Sequence, residues 1–327
     1  MTVTQVLVGP RQHGVVRFGL ALHDALRAHG FPLRQLWPPD VTALIGSACG
    51  SVHLQFTDRL FGTTPEAAAV AVTAVAQRAT VTVTLHDLPQ SSDGANADRR
   101  AAAYADVVGQ SAGVVVNSDH ERELLHDNGV DVTSVTVIPL PIDPPASVHT
   151  RPTLPPVIGV FGFLYPGKGH EEVIAATAGL PPEVEVHAIG EASAGHGSLV
   201  EDLDRLARAQ RRPFHVTGHV PDDRLVETLQ RVTVPVVAHT HVSASGSLGS
   251  WLSAARRPLA PISRYCDEVS DRNPGMLSLY PEALLAEAIR YALDTPESTW
   301  LPPGLLPHPS PAETAMAYHD FFERWHR

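Results

Sequence analysis

The feature that most constrains this chain is a proline-dense run that separates two series of alternating strand-like and helix-like segments. Seven prolines fall within the 18 residues from Pro139 to Pro156. Proline fixes φ and lacks a backbone donor, so a run this dense sustains neither a sheet ladder nor a helix. It reads as a linker, and 327 residues are enough for a buried core on either side. The expected organisation is an N-terminal domain over residues 1–143, a linker over 144–156, a second domain over 157–308 and a terminal helix over 309–327.

Each side of the linker carries the same alternation. Before it, β-branched runs at 3–8, 33–37, 52–56, 80–85, 113–117 and 135–138 read as strands, with helical stretches at 15–29, 65–77 and 99–109. The first of these helices follows a strand and a glycine-containing loop, the opening of a βαβ unit. After the linker, strands are expected at 157–163, 184–189, 214–217, 234–238 and 259–262, and helices at 171–178, 199–210, 223–230 and 249–255. Alternation of this kind implies an α/β fold with two doubly wound parallel sheets, and ligands in such sheets bind beyond the carboxyl ends of the strands. The last helix opens on Ser310-Pro311-Ala312-Glu313, a capping box with proline at the first helical position. Its Ala315, Tyr318, Phe322 and Trp325 repeat at a helical period, which predicts a core-facing stripe that crosses back onto the first domain.

Composition excludes several classes. Two cysteines, Cys49 and Cys266, cannot build a disulfide framework, so a reducing compartment, the cytoplasm, is expected. No stretch reaches the length and apolarity of a membrane span, and the start of the chain has no targeting pattern. A formal charge of −11 argues against nucleic acid as a partner. Although 18 histidines are present, none falls into a spacing typical of metal ligands, so no metal is expected.

Two segments carry the chemistry. In Gly159-Val160-Phe161-Gly162-Phe163-Leu164-Tyr165-Pro166-Gly167-Lys168-Gly169 an apolar strand breaks at Gly162 and a tight loop delivers Lys168 to the mouth of a helix. Backbone N–H groups at a helix start attract anions and an ammonium supplies charge, so this reads as a phosphate site, although its spacing is not that of a Walker A loop. In the second segment Ser245, Gly246, Ser247 and Leu248 open another helix, whose first-turn N–H groups and dipole also favour an anion. Alone that is equally the pattern of an ordinary capped helix; beside Lys168 it points to a shared diphosphate. No Gly-x-Gly-x-x-Gly opens either half, which argues against a dinucleotide enzyme.

These residues bring a family into view. Gly162-Phe163-Leu164-Tyr165-Pro166-Gly167-Lys168-Gly169 resembles the donor loop of GT-B glycosyltransferases, closest to the retaining family 4. Thr84-Leu85-His86-Asp87 resembles the segment with that family's active-site histidine, and Val116-Asn117-Ser118-Asp119-His120-Glu121 its Asn-Ser strand end. Val137 to Asp143 resembles the run into the linker, Gly218-His219-Val220-Pro221-Asp222 the loop near the base, and Gln12-His13-Gly14-Val15 stands in place of the Gly-Gly loop. The resemblance spans nearly the whole chain and implies two Rossmann-like domains facing a cleft. It also implies a nucleotide-sugar donor, UDP-sugar before GDP-sugar, a small or cytoplasmic acceptor, retention, and no cofactor. By position, His86 and Lys168 are the catalytic candidates. Gly14, Gly162, Phe163, Lys168, Ser245, Gly246, Ser247 and Leu248 are the donor-binding ones, and His13, Arg17, Asp87 and Asn117 lie on the acceptor side. Two departures stand out. The family's paired glutamates fall at Ser243 and Trp251, and Phe163 replaces a common arginine, which leaves Arg17, Arg256 and Arg264 as other cations able to turn in. The alternative implied by these losses is a catalytically weak sugar-nucleotide-binding or partner subunit. Loops 90–98 and 193–198 are the expected determinants of the acceptor.

Overall fold

A computed structural model describes residues 3–31, 33–148, 154–193, 195–240 and 243–325. The chain divides into two units, Met1–Pro141 with Pro309–Arg327, and Ile142–His308. In the first unit, strands β1 (Val3–Val6), β2 (Leu33–Leu36), β3 (Gly50–Phe56), β4 (Ala79–Leu85), β5 (Gly113–Val116) and β6 (Val135–Val137) form one sheet in the order β2-β1-β3-β4-β5-β6. Every pairing in it is parallel. The strand order reverses between β1 and β3, so the loops that follow these two strands flank the position where doubly wound sheets bind ligands.

The two faces of this sheet are built differently. Val52, Leu54 and Phe56 of β3 and Val81, Val83 and Leu85 of β4 point to one face and pack under the helices Pro65–Ala76 and Ala97–Gln110. The alternate residues Gln5, His53, Gln55, Thr82 and Thr84 are polar, the pattern of a strand with one wet face, yet all are buried. They lie under the terminal helix Pro311–Trp325 and the helix Gly14–Ala28, whose Leu22 and Leu26 join Tyr318 and Phe321 in one apolar cluster. The covered polar groups bond one another. The ring nitrogens of His53 each lie 3.0 Å from a threonine hydroxyl, those of Thr82 and Thr84, and the Thr84 hydroxyl lies 2.8 Å from that of Tyr318. The capping box forms reciprocally, Ser310 N to Glu313 Oε2 at 2.7 Å and Glu313 N to Ser310 Oγ at 3.3 Å. Trp325 sits directly over Gly113, where a Cβ would come within 2.7 Å of the indole.

The second unit repeats the plan with β7 (Val157–Phe161), β8 (Glu185–Ile189), β9 (Phe214–Val216), β10 (Val234–Val236), β11 (Leu259–Pro261) and β12 (Ser278–Tyr280), ordered β12-β11-β10-β7-β8-β9 and parallel throughout. Read from its own first strand this is the mononucleotide-binding order, with the reversal between β7 and β10. Apolar clusters cover both faces. Strand β12 and the helices Val41–Ser47, Arg264–Arg272 and Leu285–Asp294 add to the elements expected from sequence. Arg264–Arg272 is mostly charged and buries only Tyr265, Cys266 and Val269, too narrow a stripe to stand out from a loop.

Part of the proline-rich segment is integrated into the second unit. Ile142 is buried in its core, Ala146 N donates to Ser253 O at 2.8 Å, and Gln230 Nε2 donates to Ser147 O at 3.0 Å. Residues 149–153 of the expected linker lie outside the described residues.

Candidate functional site

The strongest site is at the reversal point of the second unit. Strand β7 ends at Phe161, and Gly162 follows at φ +118°, a conformation in which a side chain is strained. A Cβ there would come within 2.9 Å of Lys168 Nζ, so the lysine crosses directly over this glycine. Gly169 takes φ +95°, and its Cα passes so close to the carbonyl of Ala238 that a Cβ would overlap the oxygen. The loop after β10 is thereby held against the loop after β7, and Thr240 N donates to Gly167 O at 3.1 Å to fix the pair.

Lys168 is buried between these loops. Its Nζ donates to His239 Nε2 at 2.7 Å and to Ser247 Oγ at 3.0 Å, and stands 5.7 Å from the centre of the Tyr165 ring. Burial pushes its pKa down to about 7. Burial also lowers His170, to about 3, and His239 well below the ordinary imidazole value, with the nearby lysine charge acting in the same direction. Among the described residues, His239 Nδ1 and both ring nitrogens of His170 have no hydrogen-bond partner. Such orphans are uncommon in buried positions, and here they gather around one ammonium.

The helix expected over 249–255 begins three residues earlier, as Gly246–Ser253. Ser245 is its cap, accepting from Leu248 N at 3.2 Å; its hydroxyl lies 3.0 Å from Ser247 Oγ, and its own N–H donates to the Tyr265 hydroxyl at 2.9 Å. The structure thus brings Gly162, Lys168, Ser245, Ser247 and Leu248 together, with Gly246 exposed at the helix start and Phe163 exposed beside the loop. Sequence reasoning missed His239, His170 and Tyr265. His239 was within reach, since it follows a strand end on the side where ligands bind.

Two further positions are settled by packing. Arg256 is fully buried and does not turn toward the lysine loop: it donates to the carbonyls of Leu229, Gln230, Val232, Thr233 and Thr299, and its guanidinium lies 4.1 Å from the Trp300 ring centre. Burial lowers its pKa to about 9. Trp251 is fully buried in the apolar cluster with its ring 6.4 Å from that of Phe161. The position that matches a family glutamate is therefore a core position here.

The first unit places a second constellation at the carboxyl ends of β1, β3 and β4. His86 follows β4, tied by its N–H to Phe56 O at 2.9 Å. Its Nε2 lies 2.9 Å from Gln55 Oε1, and the Phe18 ring meets the imidazole edge to face at 5.3 Å. Burial, with a smaller contribution from His13, pushes its pKa down to about 3, so it is neutral at physiological pH. With Gln55 Oε1 as the acceptor, Nε2 carries the proton and Nδ1 is an acceptor. Asp87 sits at φ +53°, and the Tyr104 hydroxyl donates to the carbonyls of His86 at 2.7 Å and Asp87 at 3.1 Å. Its half-exposed carboxylate accepts from Arg100 at 3.1 Å; the same guanidinium holds Asp58 and Asp93. His13 caps the helix Gly14–Ala28 by accepting from Val15 N, burial lowers its pKa, and Gly14 and Arg17 are exposed on the first turns of that helix. Asn117 is buried and braces the backbone: its amide donates to Ile138 O at 3.0 Å and its N–H to the Glu121 carboxylate at 2.5 Å. Of the expected acceptor loops, residues 91–96 form a short 3-10 turn anchored by Asp93, and residue 194 of the other lies outside the described residues.

No protein-family model matches this sequence, and no curated protein matches it significantly. Solved structures do. The chain is similar to HepE from Anabaena in complex with UDP-glucose, with a TM-score of 0.69, 15% identity and coverage of 99% of this chain and 95% of that one. It is similar to the sucrose-phosphate synthase from Thermosynechococcus elongatus at a TM-score of 0.70 and 14% identity, covering 99% and 96%. A glycosyltransferase from Rickettsia africae superposes at a TM-score of 0.68 and 12% identity, covering 99% and 98%. The fold is therefore that of the GT-B glycosyltransferases, two Rossmann-like units in one chain, as the sequence motifs implied.

Proposed function

We propose that the protein is a glycosyltransferase that moves a sugar from a nucleoside diphosphate sugar, UDP-sugar before GDP-sugar, to a small or cytoplasmic acceptor with retention. The observation that carries this reading is Lys168, a buried lysine at the reversal point of a mononucleotide-ordered sheet, hydrogen-bonded to a serine in the first turn of the facing helix. A diphosphate suits this place. It supplies the negative charge that restores the lysine's proton and accepts from the N–H groups at Gly246 and Ser247, the Leu248 N–H being taken by the Ser245 cap. The UDP-glucose bound to the similar HepE favours uridine.

In this mechanism the leaving diphosphate takes charge as the glycosidic bond to it breaks, and Lys168 with the helix start stabilises that charge without a metal at the phosphates. On the retaining front-face route the acceptor oxygen enters on the side the phosphate leaves, and the phosphate takes the acceptor's proton. No protein nucleophile is needed. His86, neutral and held by Gln55, offers Nδ1 to a sugar hydroxyl and positions it; it is not a base at that pKa.

The burial of Trp251 in place of a carboxylate favours one second reading, a sugar-nucleotide-binding or partner subunit with weak turnover. Incubation with mass-tagged UDP-glucose and GDP-mannose separates the two, because an active enzyme releases the nucleoside diphosphate slowly to water even without acceptor. The release should be lost in Lys168→Ala, with nucleoside diphosphate binding weaker by about 1.5–3 kcal/mol, roughly tenfold to 150-fold. Tight binding with no release assigns the binding subunit. Equal binding by parent and variant refutes the donor site.

A further inference from the structure

We propose that the second unit holds a transition-metal site of the Zn2+ class, formed by Glu185, His187 and His215 where β8 pairs with β9. Strand register creates it. Glu185 and His187 are two residues apart on β8 and so share a face, and His215 of β9 is the direct register partner of His187. The two imidazoles meet edge to face at 5.1 Å. His187 Nε2 lies 2.8 Å and His215 Nε2 3.7 Å from the same Glu185 oxygen, and all three ligand atoms fall within 4.8 Å of one another.

Those distances suit a tetrahedral ion. With metal–ligand bonds of about 2.0–2.1 Å, adjacent ligand atoms of a tetrahedron are about 3.3 Å apart, a value that 2.8 and 3.7 Å bracket. His215 is 58% exposed at the side chain and has room to adjust, while Glu185 and His187 are 23% and 26% exposed and held by the sheet. Two imidazoles and one carboxylate are the donor set that borderline divalent ions prefer, and three protein ligands leave one position for water. Strand β9 ends the sheet, so an ion here would pin an edge strand to its neighbour. The ligands sit at the start and middle of their strands, whereas Lys168 lies in a loop beyond a strand's carboxyl end. The site is therefore separate from the phosphate chemistry. The spacing Glu185-x-His187 with His215 far along the chain does not look like a metal motif, because the third ligand is contributed across strands.

The chain has a built-in control. Glu123, His126 and Asp127 also come within metal-binding distance of one another, but all three are exposed on a single helix. The full chain, stripped of metal with a chelator, is titrated with Zn2+ at about pH 7.5, where imidazole is in its ligand form, and with Co2+, whose visible bands report tetrahedral geometry. One Zn2+ per chain is expected, with Co2+ bands of tetrahedral intensity and a higher thermal midpoint. His187→Ala and His215→Ala should each weaken binding about tenfold or more, and His126→Ala should leave it unchanged. Because His215 is exposed, its variant keeps the fold for the comparison. Absence of stoichiometric binding, binding that survives the His187→Ala/His215→Ala double change, or binding that moves with His126 overturns the proposal.

Discussion

If Lys168 binds the diphosphate, the affinity of the protein for UDP must fall steeply as the pH rises above neutrality. The lysine is buried, and its pKa of about 7 compares with an ordinary 10.5. The groups that face it do not titrate in the same range: His170 and His239 are held neutral, and Ser247 and the Tyr165 ring are uncharged. UDP itself has lost its last phosphate proton by about pH 7. In the complex the diphosphate restores the lysine's proton, so binding is strongest below the free pKa and weakens as the pH rises through it. About half of the free protein carries the proton at pH 7 and about one molecule in a hundred at pH 9, which makes the expected loss of affinity about fiftyfold between them. Calorimetry in buffers of different ionisation enthalpy should show uptake of nearly one proton at pH 8 to 9. Stability has the opposite slope. The unfolded chain holds this proton up to about pH 10.5 while the folded one releases it near 7, so the free protein should gain stability as the pH rises across that window. Lys168→Met should remove both slopes and melt higher than the parent at neutral pH. A dissociation constant that changes less than twofold from pH 7 to 9, with no proton uptake, would refute the placement of Lys168 at the phosphates.

Three other outcomes are expected. His86→Ala should lower kcat by on the order of 100-fold with UDP affinity nearly unchanged, since its proposed partner is the sugar; an equal loss of UDP binding in a titration would make the residue structural. Gly169→Ala forces a Cβ into the Ala238 carbonyl from a left-handed backbone and should cost about 1–3 kcal/mol in a denaturant melt, with UDP binding lost alongside; an unaltered melt would show that the two loops are not locked. With serine and a core tryptophan where carboxylates would hold hydroxyls, competition between UDP-glucose, UDP-galactose and UDP-N-acetylglucosamine, and between ribose and deoxyribose nucleotides, should show discrimination of roughly tenfold at most; a thousandfold preference would mean that other side chains read those hydroxyls.

How far the site could be read in advance depended on whether its residues announce themselves locally. Gly162, Lys168 and the Ser245–Leu248 turn did, because a positive φ, a loop cation and a helix cap each have a signature within a few residues. The double alternation likewise yielded both parallel sheets, while β12 escaped because Ser278-Leu279-Tyr280 contains no β-branched residue to mark it as a strand. Residues whose role depends on another segment stayed hidden. Arg256 looks like a free cation in sequence, and only the fold shows five carbonyls converging on it. His53 and Thr84 look solvent-facing until the terminal helix, more than 220 residues away, covers them, and Gln55 does until the helix Gly14–Ala28 packs on it at Gly19. That burial bears on the candidate site. The Gln55 that orients His86 sits on the same covered face as the Thr84–Tyr318 pair, in register with Thr84 on the neighbouring strand. The terminal helix reaches the candidate imidazole through one ring, since Tyr318 meets Phe18 at 6.2 Å and Phe18 meets His86 at 5.3 Å, and its aromatic stripe is core on one side and the cover of a polar layer on the other.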